Sequence, residues 1–552
     1  MGSFLLSPKI LAIRADADTR MGTGHLMRCL ALAQTWQADG GQVMFLSNCK
    51  NDAMHRRITD TGMEFVPIAQ PHPAPPDLQT TLEFLRNCRT QQSAIGNPPS
   101  PSKIRSFGVQ VKNLKSLTDA GQTKIGNRKS TIENKLWLVL DGYHFDFVYQ
   151  QAIQSAGFSL LVIDDMAHLP AYHADIILNQ NLGAEKLKYN CNPEARLLLG
   201  PRYALLRQEF LAWRGQRREI TDVARKVLVT MGGGDLDNVT LKVIHALEQV
   251  KVDGLEAVVV VGGSNPHFQK LESAVHSLRI PIRLVRNVAN MPELMAWADV
   301  AVTAGGSTCW ELAFMGLPAL ILILADNQTP IAVELERQGV ALNLGWHTLL
   351  KSGDIAYQLH SMIMSSGKRE IMSKCGRQLV DGSGTMRVVR RLYGCDLELR
   401  PVRAEDCRLI WEWANDPVAR ALSFSTEKIP WKQHVAWFES KRTDPSTRFY
   451  MAINKNDVLA GQIRYQINGQ AAVVSVSLAP EQRGRGYGAE IIRMGTRELW
   501  ANTKIDIIHA YIKQDNIASI RAFAKAGFIS TGMAEVHGCP VLHYTLRKDA
   551  RP

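Results

Sequence analysis

From residue 10 to residue 324, short apolar runs rich in Val, Ile and Leu alternate with stretches whose apolar positions repeat every three to four residues. The first set of runs lies at residues 10–13, 43–46, 136–140, 160–163 and 176–178; the second lies at 227–229, 257–261, 282–285, 300–302 and 319–324. These runs are continuous rather than alternating, which predicts strands covered on both faces, as in parallel sheets with crossover helices. Residues 26–36 read as an apolar helix after the first run, and Val239, Val243, Ile244, Leu247 and Val250 mark another at helical spacing. A charged stretch, residues 214–225, separates the two sets. Near Gly394 the order changes: 472–478 reads as a strand, 489–500 as an amphipathic helix, 505–511 as a strand, and 542–546 closes the pattern. The predicted fold class is α/β, a pair of Rossmann-like domains over 9–215 and 216–393, followed by an α+β domain over 395–549.

A chain of 552 residues with 45% hydrophobic and 21% charged positions has the composition of a globular α/β protein, which sets aside disordered and collagen-like classes. No apolar run is long enough to span a bilayer, and the first residues lack a basic signal region, so a cytoplasmic location without a membrane partner is expected. Nine cysteines scattered from Cys29 to Cys539 without a C-x-x-C pair predict neither a zinc site nor a disulfide framework. The net charge of +12 raises the question of nucleic acid, but its location argues otherwise. Nine basic residues fall between Arg89 and Lys135 against Asp119 and Glu133, in a stretch rich in Pro, Ser, Gln and Gly. More than half the excess charge therefore belongs to a polar loop insertion, and no nucleic-acid partner is expected.

Candidate chemistry sits where strands turn into helices. After the first strand come Arg14-Ala15-Asp16 and the turn Met21-Gly22-Thr23-Gly24-His25. Glycines there let backbone N–H groups approach an anion, and His25 stands at the mouth of the cleft where open α/β sheets bind ligands. An imidazole at that place can act as a general base on water. The second set offers Gly232-Gly233-Gly234-Asp235 after one strand and Gly305-Gly306-Ser307-Thr308-Cys309-Trp310-Glu311 after another, followed by Asp326-Asn327-Gln328. Ser307 and Thr308 are expected to cap a helix and hold a diphosphate, with Glu311 one turn on taking the hydroxyls of a ribose. An acid in so apolar a helix needs a partner. Asp16-Ala17-Asp18 has the spacing of a metal motif but reads as wall and turn, so no metal is required.

Gly24-His25-x-x-Arg28, Asp141-x-Tyr143, Gly232-Gly233-x-Asp235, the Gly200–Leu206 segment, Gly306-Ser307-Thr308-x-x-Glu311 and Asn327-Gln328 together resemble MurG-like glycosyltransferases, which implies a GT-B-like pair of Rossmann-like domains followed by the α+β domain. They resemble more closely the UDP-sugar hydrolase family of pseudaminic-acid biosynthesis, over about residues 9 to 390. The resemblance implies that His25 activates water for attack at the anomeric carbon. It also implies that Gly24, Tyr143, Gly233, Asn327 and Gln328 lie at the substrate and that Ser307, Thr308 and Glu311 hold UDP.

In the last domain, Leu478 ends a strand and Arg483-Gly484-Arg485-Gly486-Tyr487-Gly488 opens a helix, forming a nest of N–H groups for a pyrophosphate. Asn516-x-x-Ser519 and Ala526-Gly527-Phe528 follow. The order resembles the GNAT acetyltransferases, which implies acetyl-CoA as cosubstrate, held by Leu478, Arg483, Gly484, Arg485, Gly486, Gly488, Asn516 and Ser519. Phe523 stands where many members carry a catalytic Tyr; Glu412, Tyr465, Ser477 and His509 remain candidates for the reaction centre. The combined expectation is a bifunctional enzyme that acetylates a UDP-4-amino-4,6-dideoxy-sugar and hydrolyses the diacetamido product. The alternatives are a glycosyltransferase fused to an acetyltransferase and a non-catalytic scaffold that binds sugar nucleotides.

Overall fold

A computed structural model of the chain describes residues 9–18, 21–95, 136–276, 278–286, 288–394, 397–454 and 458–548. It divides into two compact units, Met1–Tyr393 and Gly394–Pro552. In the first unit β1 (Ile10–Ala15), β2 (Gln42–Ser47), β3 (Glu64–Pro67), β4 (Trp137–Asp141), β5 (Ser159–Ile163), β6 (Ile176–Asn179) and β7 (Arg196–Leu199) form one sheet. Its order is β3-β2-β1-β4-β5-β6-β7, and every pair is parallel. Every residue of β1 and β4 is buried, as their unbroken apolar runs require. Edge strands β3 and β7 escape a reading by pattern because each has four residues and is only partly buried. The helix Pro75–Ile95 runs past Arg89, where the loop insertion was expected to begin, so that boundary moves to the end of the helix. Residues 96–135 of the insertion lie outside the described residues.

β8 (Lys226–Thr230), β9 (Glu256–Val261), β10 (Ile282–Arg286), β11 (Val300–Ala304), β12 (Ala319–Ile323) and β13 (Ala341–Trp346) make the second parallel sheet, in the order β10-β9-β8-β11-β12-β13. Strand order reverses between β1 and β4 in one sheet and between β8 and β11 in the other, which opens a crevice at the C-terminal ends of those strands. The two crevices share a boundary of bare backbone: a Cβ on Gly233 would lie 2.7 Å from the Thr23 nitrogen. The strongly amphipathic helix Gly384–Leu392, continuous in sequence with the second sheet, places Val388, Val389 and Leu392 in the core of the first. Tyr393 then stacks on Trp36 with ring centroids 4.6 Å apart.

The second unit has one mixed sheet of β14 (Leu397–Pro401), β15 (Thr447–Asn454), β16 (Leu459–Asn468), β17 (Ala471–Leu478), β18 (Ile507–Lys513), β19 (Ile529–Val536) and β20 (Cys539–Arg547). Its order is β14-β15-β16-β17-β18-β20-β19, antiparallel except between β17 and β18. That parallel ladder covers only Ala471–Val473 against Ile507–His509, after which the two strands separate. The helices Tyr487–Asn502 and Ile517–Lys525 pack on one face through a core that includes Ile463, Val474, Ile491, Ile508 and Phe523. Cys407–Ala414 and Trp431–Thr443 cover part of the other around Phe438, Phe449 and Met451. Among the described residues no helix is long and apolar enough to cross a membrane.

Candidate functional site

His25 occupies the first turn of the helix Gly24–Ala38, directly after the turn that leaves β1. Its Nδ1 lies 2.7 Å from Oδ1 of Asp141, the fully buried last residue of β4. Arg28, one turn further along the same helix face, donates from Nε and Nη2 to the two oxygens of Asp141, each at 2.7 Å. Burial alone pushes the Asp141 pKa up, but Arg28 and His25 outweigh it and hold the carboxyl well below the usual carboxylate range. An ionised Asp141 can only accept, so Nδ1 carries the hydrogen, and in the neutral ring this tautomer leaves the lone pair on Nε2.

Arg28 also reaches both oxygens of Asp165 at 2.9 Å. Asp165 in turn accepts from the Tyr143 hydroxyl at 2.6 Å and from Asn181 at 2.8 Å. Burial, and then the neighbouring Asp165, push the Tyr143 hydroxyl far above its ordinary pKa, so it remains a donor. It also accepts from Asn327 Nδ2 at 3.0 Å, a hydrogen bond that joins the first sheet's loop to the second's. Arg28 thus neutralises two carboxylates at once. Arg28→Met should leave both buried carboxylates without a guanidinium and cost about 3–5 kcal/mol, read as a fall in the urea midpoint at constant slope.

All the candidates from the first unit, Gly24, His25, Tyr143, Gly233, Ser307, Thr308, Glu311, Asn327 and Gln328, line a single cleft of about 1060 Å³ between the two sheets. The local roles of two of them, Ser307 and Gln328, differ from those expected. Ser307 is the residue before the helix Thr308–Met315 but makes no side-chain capping bond, so its hydroxyl is not spent on the helix. Gln328 Oε1 accepts from the backbone of Gly305 at 3.2 Å and Leu324 at 3.0 Å, pinning the loops after β11 and β12, which leaves only its NH2 group for a ligand. Glu311 has the partner its apolar helix demanded: Arg207, 3% exposed, donates to Oε1 from Nη2 at 2.9 Å and from Nε at 3.3 Å. Arg207 also binds Glu209, which accepts from Arg57 of the helix Asp52–Thr59. Asp235 accepts from the N–H groups of Val239 and Thr240 at 2.7 and 2.9 Å and so starts the helix Val239–Gln249.

Asp165, Asn181 and Arg207 had no part in the sequence reading, and Asp141 and Arg28 had no role assigned. The signal was available for two of them, because Asp164-Asp165 and Asn179-Gln180-Asn181 stand at the C-terminal ends of β5 and β6, as His25 does after β1.

In the second unit Gly484 and Gly486 have φ of +78° and +79°, and nothing lies within 4 Å of a Cβ added at either. They open the sixteen-residue helix Tyr487–Asn502 with an uncovered turn, and Arg485 beside them is exposed. Arg483, expected at the anion, pairs through Nη1 with Asp416 at 2.7 Å. Asn516 Oδ1 accepts from the Ser519 N–H at 3.1 Å, which makes this Asn-x-x-Ser pair the N-cap of the helix Ile517–Lys525. Leu478 is the last residue of β17, and Gly488 packs its Cα side toward Ala522.

The candidates for the reaction centre also separate. Tyr465 is fully buried, and its hydroxyl lies 3.2 Å from Thr496 Oγ1, so it is a core residue. Glu412 pairs with the exposed Arg408 of its own helix. Ser477 accepts from Gln462 at 3.0 Å, and His509 Nδ1 lies 2.9 Å from His543 Nε2. Phe523 is buried against Phe528. Among the described residues no group of three or more His, Cys, Asp and Glu is arranged to hold a metal ion.

Residues 227–383 match the glycosyltransferase family 28 C-terminal domain, and residues 396–529 match the acetyltransferase (GNAT) domain. The spore coat polysaccharide biosynthesis protein SpsG of Bacillus subtilis is 30% identical over 217 residues, covering 39% of this chain and 63% of that protein. A Helicobacter pylori protein named as a pseudaminic acid cytidylyltransferase and UDP-2,4-diacetamido-2,4,6-trideoxy-beta-L-altropyranose hydrolase is 25% identical over 290 residues, 51% of this chain and 52% of that one. The chain thus spans less than two thirds of either relative. The crystal structure of MurG from Acinetobacter baumannii is 15% identical with a TM-score of 0.45, covering 70% of this chain and all of that one.

Proposed function

We propose that this chain, which carries a glycosyltransferase family 28 C-terminal domain and a GNAT acetyltransferase domain, acts twice on one nucleotide sugar. Its second unit transfers an acetyl group from acetyl-CoA to the 4-amino group of a UDP-4-amino-4,6-dideoxy-sugar. Its first unit then hydrolyses UDP-2,4-diacetamido-2,4,6-trideoxy-β-L-altropyranose to the free sugar and UDP. The activity for which the Helicobacter pylori relative is named supports the second reaction, and the match to the GNAT domain supports the first.

The observation that carries the hydrolase reading is the His25–Asp141 pair in the cleft shared with Ser307, Thr308 and Glu311. Nε2 of His25 takes a proton from water as the water oxygen attacks the anomeric carbon. The bond from that carbon to the diphosphate oxygen breaks, and the charge left on UDP meets the first N–H groups of the helix Thr308–Met315 and the Ser307 hydroxyl. Asn327 and Tyr143 flank the sugar, Gly24 and Gly233 let backbone approach it, and Glu311 takes the ribose hydroxyls with the oxygen not used by Arg207. In the second unit the uncovered turn Gly484–Gly488 receives the pyrophosphate of acetyl-CoA.

Incubating the whole protein with acetyl-CoA and the UDP-4-amino sugar, and following products by mass and NMR, should show an acetylated nucleotide sugar that gives way to free sugar and UDP. Release that requires an added acceptor would replace hydrolysis by glycosyl transfer. Glu311→Ala should weaken UDP binding by about 1.5–3 kcal/mol, as for a lost hydrogen bond to a charged group. Unchanged UDP affinity in calorimetry would move the nucleotide elsewhere.

A further inference from the structure

Directly opposed residues on neighbouring strands share a face of a sheet, as do residues two apart on one strand. Arg464 of β16 opposes Ser475 of β17; Val473 of β17 opposes His509 of β18; Tyr511 of β18 opposes His543 of β20. These six residues therefore form one strip, on the face away from the Tyr487–Asn502 helix, whose side takes Ala472, Val474, Ile508 and Ala510. His509 is the last paired residue before β17 and β18 separate, so the strip crosses the fork between the two strands.

The two imidazoles share one hydrogen bond, Nδ1 of His509 to Nε2 of His543 at 2.9 Å. Whichever ring carries that hydrogen, the neutral pair presents one lone-pair nitrogen at one outer end and one N–H at the other. Tyr511 stacks on His543 with centroids 4.9 Å apart. Burial, then His543 and Arg547, hold the His509 pKa below its ordinary value, which favours the neutral His509 ring, the form that accepts a proton. Arg464 lies over the rings of Trp437, 4.7 Å from its centroid, and Phe449, at 5.9 Å, and among the described residues no carboxylate pairs with it. Burial pushes its pKa down to about 10, so it stays cationic at neutral pH and wants an anion.

We propose that this strip is the acyl-acceptor site of the second unit, with the His509–His543 pair taking the proton of the acceptor's ammonium group and Arg464 binding its phosphate charge. The proposal rests on the nucleotide-sugar reading above. Two strand spacings across and two residues along put Arg464 and His509 about 12 Å apart, a separation that long side chains bridge to the amine and diphosphate of one ligand. The ammonium gives one proton to the pair and becomes an amine. Its nitrogen attacks the thioester carbonyl of acetyl-CoA at the fork; the C–S bond breaks as the C–N bond forms. The second proton passes from nitrogen to the departing thiolate, and the pair returns its own proton to solvent.

The test uses the full chain with acetyl-CoA and the UDP-4-amino sugar, reading thiol release. His509→Gln and His543→Gln should each lower kcat about 10²-fold and remove the acid limb that the pair gives the kcat/KM profile, with acetyl-CoA affinity in calorimetry unchanged. Arg464→Met should raise the KM for the nucleotide sugar at least tenfold with kcat kept, and leave the KM of a phosphate-free amine unaltered. Wild-type kcat and pH profile in the histidine variants would overturn the pair assignment while the nucleotide-sugar reading stands. If the wild type ignores the nucleotide sugar but acetylates another amine, that reading falls, and the same variants assayed with that amine still decide the histidines. No transfer to any amine overturns both.

Discussion

Replacing His25 with alanine should lower UDP release from the diacetamido nucleotide sugar by about 10²-fold or more, the range for losing a positioned general base. UDP affinity should be kept, because the residues proposed to hold the nucleotide, Ser307, Thr308 and Glu311, lie at the start of the helix that follows β11 of the second sheet. Asp141→Asn should reproduce much of the loss for a different reason. A neutral amide no longer compels the hydrogen onto Nδ1, and Arg28 loses one of its two counter-charges. A protein with His25→Ala that still turns over at the wild-type rate would remove the imidazole from the mechanism.

The second large effect is expected at Gly486, which holds φ of +79° at the turn into the helix Tyr487–Asn502. Gly486→Glu should bring acetyl transfer to background while hydrolysis of pre-acetylated substrate continues. A side chain there costs about 1–2 kcal/mol in backbone strain, but a carboxylate at a helix N-terminus is itself favourable, so the fold should survive. What fails is the nest, now filled and negative where a pyrophosphate must sit. Gly486→Ala separates the contributions: it carries the strain without the charge and should retain measurable transfer. Unchanged transfer in Gly486→Glu would place the cosubstrate elsewhere, and parallel loss of hydrolysis in a folded protein would contradict separate sites.

The sheets were legible because both faces of β1, β4, β8 and β11 are covered, which forces unbroken apolar runs into the sequence. The same rule hid β3 and β7, whose exposed positions break the run. For the site, location was legible and connection was not. The end of a strand beside a Gly-rich turn is a local feature, and it brought out His25, Gly233 and Ser307. That Asp141 sits 2.7 Å from an imidazole 116 positions earlier depends on β1 and β4 being neighbours, which only the topology supplies. Arg207 was invisible for the same reason: the need for a cation near Glu311 could be argued from burial, but its source 104 residues upstream could not. In the second unit the partners that two expected ligand residues already hold were not legible. Arg483 and Asn516 look free for acetyl-CoA until Asp416 and the N–H of Ser519 are found to occupy them.

The account stands or falls on where water attacks. Hydrolysis of the diacetamido nucleotide sugar by the full chain in 18O-labelled water, without any added acceptor, should yield UDP free of label, because His25 directs water to the anomeric carbon and the bridging oxygen leaves with the diphosphate. Label in the terminal phosphate of UDP would show attack at phosphorus and contradict the account.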